Sequence, residues 1–593
     1  MQTELDRLLV TTALVETFDP NKEIVFLGPW CSHDYQNLKE LTQSSTTIDY
    51  HWDNISKFAE DDLKLHTIYQ DSLIKVTSIL NEHHSTKLSL EYWQILIGPW
   101  LNTFITVLFD RWESITKAYK SLDRLQTLVL DLSEEKMIPY HSQHFKQVLS
   151  ASDLWNHFIF SKIIEFQGYK FELLEPREET NFRKNEKKLR KSPLSILATF
   201  ARFIRDFMYT RKEDVLFVNT MISTSTERKF QKILGQKPVL RKPKIDPLEG
   251  SNPNMKLRKL LTKKFLAGES EFERFLSTII FKQFPSSYLE DYKRLVASSI
   301  NPTWPSKPKL VLTARSHLDS DTFRHWVGKR KESLILAVFQ HGSNYGTDLV
   351  HDFERIELDI ADKFLSWGWS KKKVEPFLNI RTLGVTKPSP EKEGGLLFID
   401  LLTSQYCVTR DSLIRSANIW KIYQRNAFNF FSNIRPTIQK SFSVRLSPAE
   451  QKWINQRASW EKLSPNISFA EGPSDKLIEH YNKCRLCVHG YQGTAFLELI
   501  SFDFPTIVIC DTNVEPLRES VKEDFEILEK AKILHFTSSS AAKHVNEIWD
   551  DIDSWWFADN TLKAKQMFQE KFCRVRKDPE EFFKKTVEDL IER

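Results

Sequence analysis

The sequence predicts an α/β protein of two or more domains. Three observations carry that expectation. A chain of 593 residues exceeds the size at which a single core stops growing. Its second half alternates short apolar runs with helix-length segments, as parallel sheets covered by helices do. Its first half sets long amphipathic stretches around a few strand-like runs.

Composition narrows the function classes. Hydrophobic residues make up 41% and aromatic residues 12%, which excludes disorder over most of the length. The formal net charge of +5, from 84 basic and 79 acidic residues, demands no nucleic-acid partner. The charge is uneven, with twelve Lys/Arg against three Asp/Glu between Glu227 and Lys264, and RKNEKKLRK at Arg183 to Lys191. Such runs read as solvated faces or as a patch for anionic lipid or substrate. Six cysteines make no disulfide framework, and the start MQTELDRLL lacks the basic and apolar segments of a signal peptide. A cytoplasmic protein is expected. The most membrane-like segment, Trp93 to Phe109, is interrupted by Gly98-Pro99 and reads as a buried helix.

Taken in order, EIVFLG, TLVLDL and DVLFVNT are the strand candidates of the first half. DDLKLHTIYQDSLIKVTSIL and PLSILATFARFIRDFMY are its amphipathic helices, and Gln236 to Asn254 is a long loop. NPTWPSKPK marks a boundary, giving a helix-rich α/β domain at 1–300. KLVLTA, LILAVF, KFLSWG, GLLFID, FSVRL, ISFA, LCVHG, TIVICD and ILHF then form a wound parallel unit at 301–553, and helices follow at 554–593.

Parallel sheets bind ligands in the loops after their strands. Two such loops stand out. In FQHGSNYGTD, strand LILAVF stops at Gln340, His341 and Gly342, with Ser343 and a second turn glycine at Gly346. In LCVHGYQGTAFLELI, Gly493 and Thr494 open a helix, a ready anion site, and Glu498 lies one turn on, placed to accept from a ribose diol. Two phosphate-suited loops in one sheet point to a nucleotide-activated donor. Arg445, at the end of FSVRL, is a further candidate for an anionic group. Asp319 and Asp321 have the spacing of a metal-bound nucleotide-sugar site but precede a helix, where capping accounts for them. Cys484 and Cys487 have no second pair and read as buried apolar groups.

These motifs resemble the GT-B glycosyltransferases of bacterial surface polysaccharides, especially the capsule and lipopolysaccharide Kdo transferases and the CDP-glycerol glycerophosphotransferases. Nearly the whole chain is similar to a family of surface-carbohydrate transferases first defined from Leptospira O-antigen clusters. LLVTTALVETF, FLGPWC, LNEHHSTKLSLEYWQILIGPWL, FDRW, TARSHLDSDTFRHW, QHGSNYG, FLSWGW, GTAFLELISFDFPTIVICD and DIDSWW carry that similarity. The resemblance implies two Rossmann-like domains facing across a cleft, with the C-terminal helices crossing back onto the first. It implies His341 at the donor phosphates, Gly493 and Thr494 on phosphate, and Glu498 on the ribose. HGYQGT stands where related enzymes often have a serine pair. The acceptor side would involve Gly28 and His84, with the general base open among Glu91, Asp110, His83 and His84 and Glu91 as the nominal candidate. No cofactor or obligatory metal is implied.

The expected function is therefore transfer of a sugar from a nucleotide donor, preferably a CMP-ulosonic acid, to O-antigen or capsule glycan. The expected partners are that donor, a glycan or lipid-linked acceptor, and the inner membrane surface, with no nucleic acid. A CDP-alditol phosphotransferase and a non-catalytic glycan-assembly scaffold are the alternatives.

Overall fold

Runs such as RLLV, LVLT and TIVI are apolar at nearly every position, so each needs a sheet covered on both faces. The computed structural model describes residues 7–32, 45–176, 214–237, 251–266, 268–299, 304–305, 307–401, 403–412, 417–446, 455–472 and 477–592. Within them the strands form three sheets, parallel throughout.

The first sheet holds β1 (Arg7–Val10), β2 (Glu23–Phe26), β3 (Thr46–Thr47), β4 (Leu125–Leu130) and β5 (Phe171–Leu174), ordered β3-β2-β1-β4-β5. The second holds β6 (Val215–Phe217), β7 (Leu310–Thr313), β8 (Ile335–Phe339), β9 (Lys363–Ser366) and β10 (Val374–Pro376), side by side in chain order. The third holds β11 (Gly395–Ile399), β12 (Phe442–Arg445), β13 (Ser468–Phe469), β14 (Cys484–His489), β15 (Thr506–Ile509) and β16 (Leu534–His535). Its order, β13-β12-β11-β14-β15-β16, is the doubly wound one, with the winding reversing between β11 and β14.

The chain therefore has a complete parallel sheet ahead of the two that face each other. The boundary expected at 300/301 falls inside the second sheet, because β6 pairs with β7 across it. The helices Thr224–Ile233, Met255–Lys264, Glu271–Ile279 and Tyr292–Ser298 come between these two adjacent strands in the chain and concealed that pairing in the sequence.

Buried side chains lock the units together. The helix Leu90–Ser121 contains the membrane-like stretch, kept inside, and packs across the helices Asp321–Gly328 and Asp352–Ile360 of the second unit. Among the described residues no helix is long and apolar enough to cross a membrane. Arg324, fully buried, donates to Leu96 O at 2.9 Å, Ser142 Oγ at 2.7 Å and Tyr288 OH at 2.9 Å, and pairs with Asp321. A buried guanidinium is tolerable only when its donors are satisfied in this way. Arg410, from the loop after β11, reaches Asn102 at 2.8 Å and Asp352 at 2.6 Å, so one side chain joins all three units.

The C-terminal helices cross back onto the second unit, including its strand and helix that precede residue 300. Helix Asp559–Phe572 lies on the third unit. Arg574 then exchanges backbone bonds with Trp367 and Asn379, both 2.8 Å. In the last helix, Pro579–Glu592, Phe583 stacks on Phe230 with ring centres 3.9 Å apart. The expected helix at 193–209, the basic run 183–191 and much of the loop 236–254 lie outside the described residues.

Candidate active site

A doubly wound sheet leaves its crevice where the strand order reverses. A cavity of about 630 Å3 lies there, lined by Ile399 and Asp400 at the end of β11 and by Tyr491, Thr494 and Glu498 after β14. The opposite wall comes from the second unit: Ser223 after β6, Ser343 and Asn344 after β8, and Arg381 after β10. Two polar contacts span the cleft. Ser343 N–H donates to Thr494 Oγ1 at 3.1 Å, and Arg381 Nε donates to Glu498 Oε1 at 3.0 Å.

The expected glycine roles are specific. Gly493 is the N-cap of helix Thr494–Ser501, which no side chain caps, and since Phe496 N–H already donates to Gly493 O at 3.1 Å, the N–H groups of Thr494 and Ala495 are those that can face a ligand. A Cβ on Gly342 would stand 3.3 Å from Thr494 Oγ1, so this glycine allows the two loops to approach. Gly346 takes a left-handed φ of +75°, and a Cβ there would meet the Trp369 ring at 2.8 Å. Its N–H donates to Glu354 at 2.8 Å.

Electrostatically the cleft is mixed. Burial raises the Glu498 carboxyl while the Arg381 guanidinium draws it back. Burial lifts Asp400 to about 6, and Trp460 Nε1 (2.8 Å), Tyr423 OH (2.9 Å) and Leu401 N–H (3.0 Å) all donate to it. Asp400 thus braces the wall. Arg445 lines the cavity but spends two donors on the Ala470 and Gly472 carbonyls, at 2.7 and 2.5 Å. Tyr481 and Tyr491 add aromatic wall of the kind a base or sugar ring packs on.

His341 is placed differently from the expectation. Ser343 and Asn344 of its loop line the cavity, whereas its own ring sits in a buried cluster at the ends of β7 and β8. Arg315 Nη1 faces His341 Nε2 at 3.2 Å, and Tyr345 OH faces Nδ1 at 3.1 Å. Glu357 Oε1 lies 3.5 Å from Nδ1 and 2.7 Å from His317 Nε2. Arginine only donates, so Nε2 accepts and the proton resides on Nδ1. Burial lowers His341 to about 3 and raises Glu357 to about 7. The imidazole is neutral near neutral pH, so it is not a cationic clamp for phosphate, and as a proton acceptor it depends on the Glu357 carboxylate, which raises its basicity against burial. Gln340 is structural: its Oε1 accepts from Trp367 N and Trp369 Nε1, both 2.9 Å, and its Nε2 donates to Gly342 O at 2.9 Å.

The acceptor-side candidates do not gather at this cleft. Glu91 is half-exposed and faces Lys331 at 3.4 Å, on the turn entering the amino end of β8, the edge opposite His341. His84 Nε2 lies 2.9 Å from Tyr288 O and its ring stacks on Tyr292 at 4.1 Å. Gly28 leaves room for the Trp30 ring, 2.3 Å from where its Cβ would be, and Trp30 packs against Tyr406. Asp110 is tied to Tyr50, His51 and Arg111. Gly28, His84 and Asp110 serve packing or buried polar networks and Glu91 a surface ion pair, commoner fates for such groups than catalysis. Asp319 pairs with Arg315 at 3.2 Å, Asp321 with Arg324, and Ser320 caps the following helix. Cys484 and Cys487 are buried free thiols.

Sequence reasoning missed Arg315, Glu357 and Arg381. Arg315 follows β7 by two residues and carried a strand-end signal; Glu357 sits in an ordinary amphipathic helix and Arg381 in a loop, with no local mark.

Comparison with solved structures gives distant similarity. S. aureus MnaA with UDP is 13% identical, with 65% of this chain and 96% of that chain covered at a TM-score of 0.32. The wall teichoic acid polymerase TagF with CDPG is 9% identical, covering 68% and 99% at 0.29. UDP-GlcNAc 2-epimerase from Neisseria meningitidis bound to UDP-GlcNAc is 12% identical, covering 64% and 100% at 0.31. No curated protein matches the chain in sequence. A family model does, over residues 7–587, and the chain belongs to the LIC12162 family of transferases.

Proposed function

We propose that the protein is a GT-B glycosyltransferase moving a sugar from a nucleotide-activated donor, preferably a CMP-ulosonic acid, to a bacterial surface glycan such as O-antigen or capsule. The observation that carries this is the cavity at the β11/β14 reversal, closed from the other side by Ser343 and Arg381. Donor phosphate would lie on the N-terminus of helix Thr494–Ser501, with Thr494 Oγ1 and the Ser343 N–H as partners. Glu498 would accept from the ribose, and Arg381 would oppose charge on the departing nucleotide. His341 Nε2 is the atom to take the acceptor hydroxyl proton, once that hydroxyl replaces Arg315 as its donor. Glu357 would then stabilise the imidazolium. No obligatory metal is required. The acceptor is a lipid-linked or free glycan, and the enzyme works in the cytoplasm against the inner membrane.

A thermal-shift panel of CMP, CDP, UDP and GDP tests the reading. A ligand at a hundred times its dissociation constant stabilises by about 2.7 kcal/mol. Selective stabilisation by CMP, reduced in Glu498→Ala, supports it. A selective CDP response with phosphodiester product points to alditol phosphate transfer, and no response to any nucleotide points to a scaffold.

A further inference from the structure

We infer that the outward face of the helix Met255–Lys264, with Ile74 beside its end, is the surface that docks the protein on an anionic bilayer. The helix, MKLRKLLTKK, has basic and aliphatic residues and no acid. Its inner face is fixed by Arg258, which donates to Phe281 O at 2.9 Å and Phe284 O at 2.7 Å and pairs with Glu290 at 2.7 Å. Leu261 and Phe265 are buried on the same side, three and seven residues on. The opposite side therefore faces solvent as a preformed surface.

That side presents Lys256, Lys259 and Lys263, none with an ion-pair partner among the described residues. Between and beyond them stand Leu260, 54% exposed, and Leu266, 73% exposed. Lys75 Nζ donates to Leu266 O at 3.2 Å, bringing up the neighbouring helix Ile55–His84, whose Ile74 is 57% exposed. Acids nearby include Glu82, taken by Lys264 at 2.5 Å, Glu290, taken by Arg258 at 2.7 Å, Asp71, and Glu269, Glu271 and Glu273 on and before the packed helix Glu271–Ile279. Lysines alone would suit any polyanion. Protruding aliphatic side chains gain nothing from a phosphate backbone in water, but gain burial at the boundary between headgroups and acyl chains. Lysine stems let the charges stay at headgroup level while the leucines enter.

This deepens the membrane-peripheral part of the proposed function and rests on it. The test is co-sedimentation of the full chain with vesicles of phosphatidylcholine alone or with phosphatidylglycerol added, beside the CMP thermal shift on each sample. The wild type is expected to sediment with the phosphatidylglycerol vesicles only. K256E/K259E/K263E should weaken that binding on the order of a hundredfold, from about fivefold per lysine. L260S/L266S should weaken it while leaving retention on heparin unchanged, and all three proteins should keep the same CMP response. The inference is overturned if wild type ignores anionic vesicles, or if either variant sediments as wild type does. A failed CMP response with intact vesicle binding would instead count against the transferase reading.

Discussion

The Ser343 N–H donates to Thr494 Oγ1 over 3.1 Å, so one hydrogen bond joins the loop after β8 to the first turn of the helix after β14. The two loops are 151 residues apart in sequence and belong to different sheets. Thr494→Val keeps the shape and removes the hydroxyl, both the acceptor of the Ser343 N–H and the donor to phosphate. Loss of a hydrogen bond to a charged phosphate costs roughly 1.5–3 kcal/mol, so nucleotide affinity should fall at least tenfold. Thr494→Ser should retain it. Calorimetric titration with CMP checks both, and equal affinity in Thr494→Val would remove this helix from the donor site.

Arg381 and Glu498 close the same cleft from opposite sides at 3.0 Å. Truncating either leaves its partner half-buried and unpaired, so the losses of nucleotide affinity in the two single alanine variants should add up to more than the loss in the double variant. Contacting pairs couple by roughly 0.5–3 kcal/mol. A double-mutant cycle on nucleotide affinity measures the coupling; additivity would mean the ion pair is a latch with no part in binding.

The buried Glu357 gives a pH signature with a defined sign. Burial raises its carboxyl from 4.5 to about 7 in the folded protein. The stabilisation linked to its bound proton is full below the unfolded pKa near 4.5 and is lost as pH rises through about 7. Glu357→Gln removes that loss, so its stability relative to wild type should climb between pH 4.5 and 7. The pH–rate profile should shift as well, since His341 loses the carboxylate that supports its protonated form. Urea midpoints across this window test the first effect; parallel curves for the two proteins would contradict a raised carboxyl.

How far the sequence revealed this depends on where each residue gets its partners. KLVLTA, LILAVF, TIVICD and their neighbours were legible because strands buried on both faces are written as continuous apolar runs. β3, β5 and β10 were not, since they are short sheet edges, half-exposed or exposed, with no such run to show. The Gly342 and Gly493 loops were visible because glycine and hydroxyl requirements are local. Arg381, 117 residues from Glu498, and Glu357, bound to histidines on two other strand ends, acquire meaning only from the fold. Glu91 shows the converse: a plausible local signal at a helix start, carried to the wrong edge of the second sheet.

The acid pair Asp319 and Asp321 bears on metal dependence. Asp319 holds Arg315 at 3.2 Å and lies 3.6 Å from Lys146, a first-unit lysine that burial lowers to about 8. Asp321 accepts from Ser142 Oγ at 2.5 Å and Ser287 Oγ at 2.8 Å besides pairing with Arg324. A divalent cation would have to displace these partners, and freeing Arg324 would leave a buried guanidinium unpaired, at a cost of several kcal/mol. Transfer activity and nucleotide stabilisation should therefore survive exhaustive chelation, and added Mg2+ or Mn2+ should not raise them. Asp321→Asn should instead lower thermal stability, because the acid anchors Arg324 at the junction of the first and second units. Activity that vanishes with a chelator and returns with Mn2+ would place a metal beside the donor phosphates, and the metal would then take over the charge stabilisation proposed for Arg381 and the helix N-terminus.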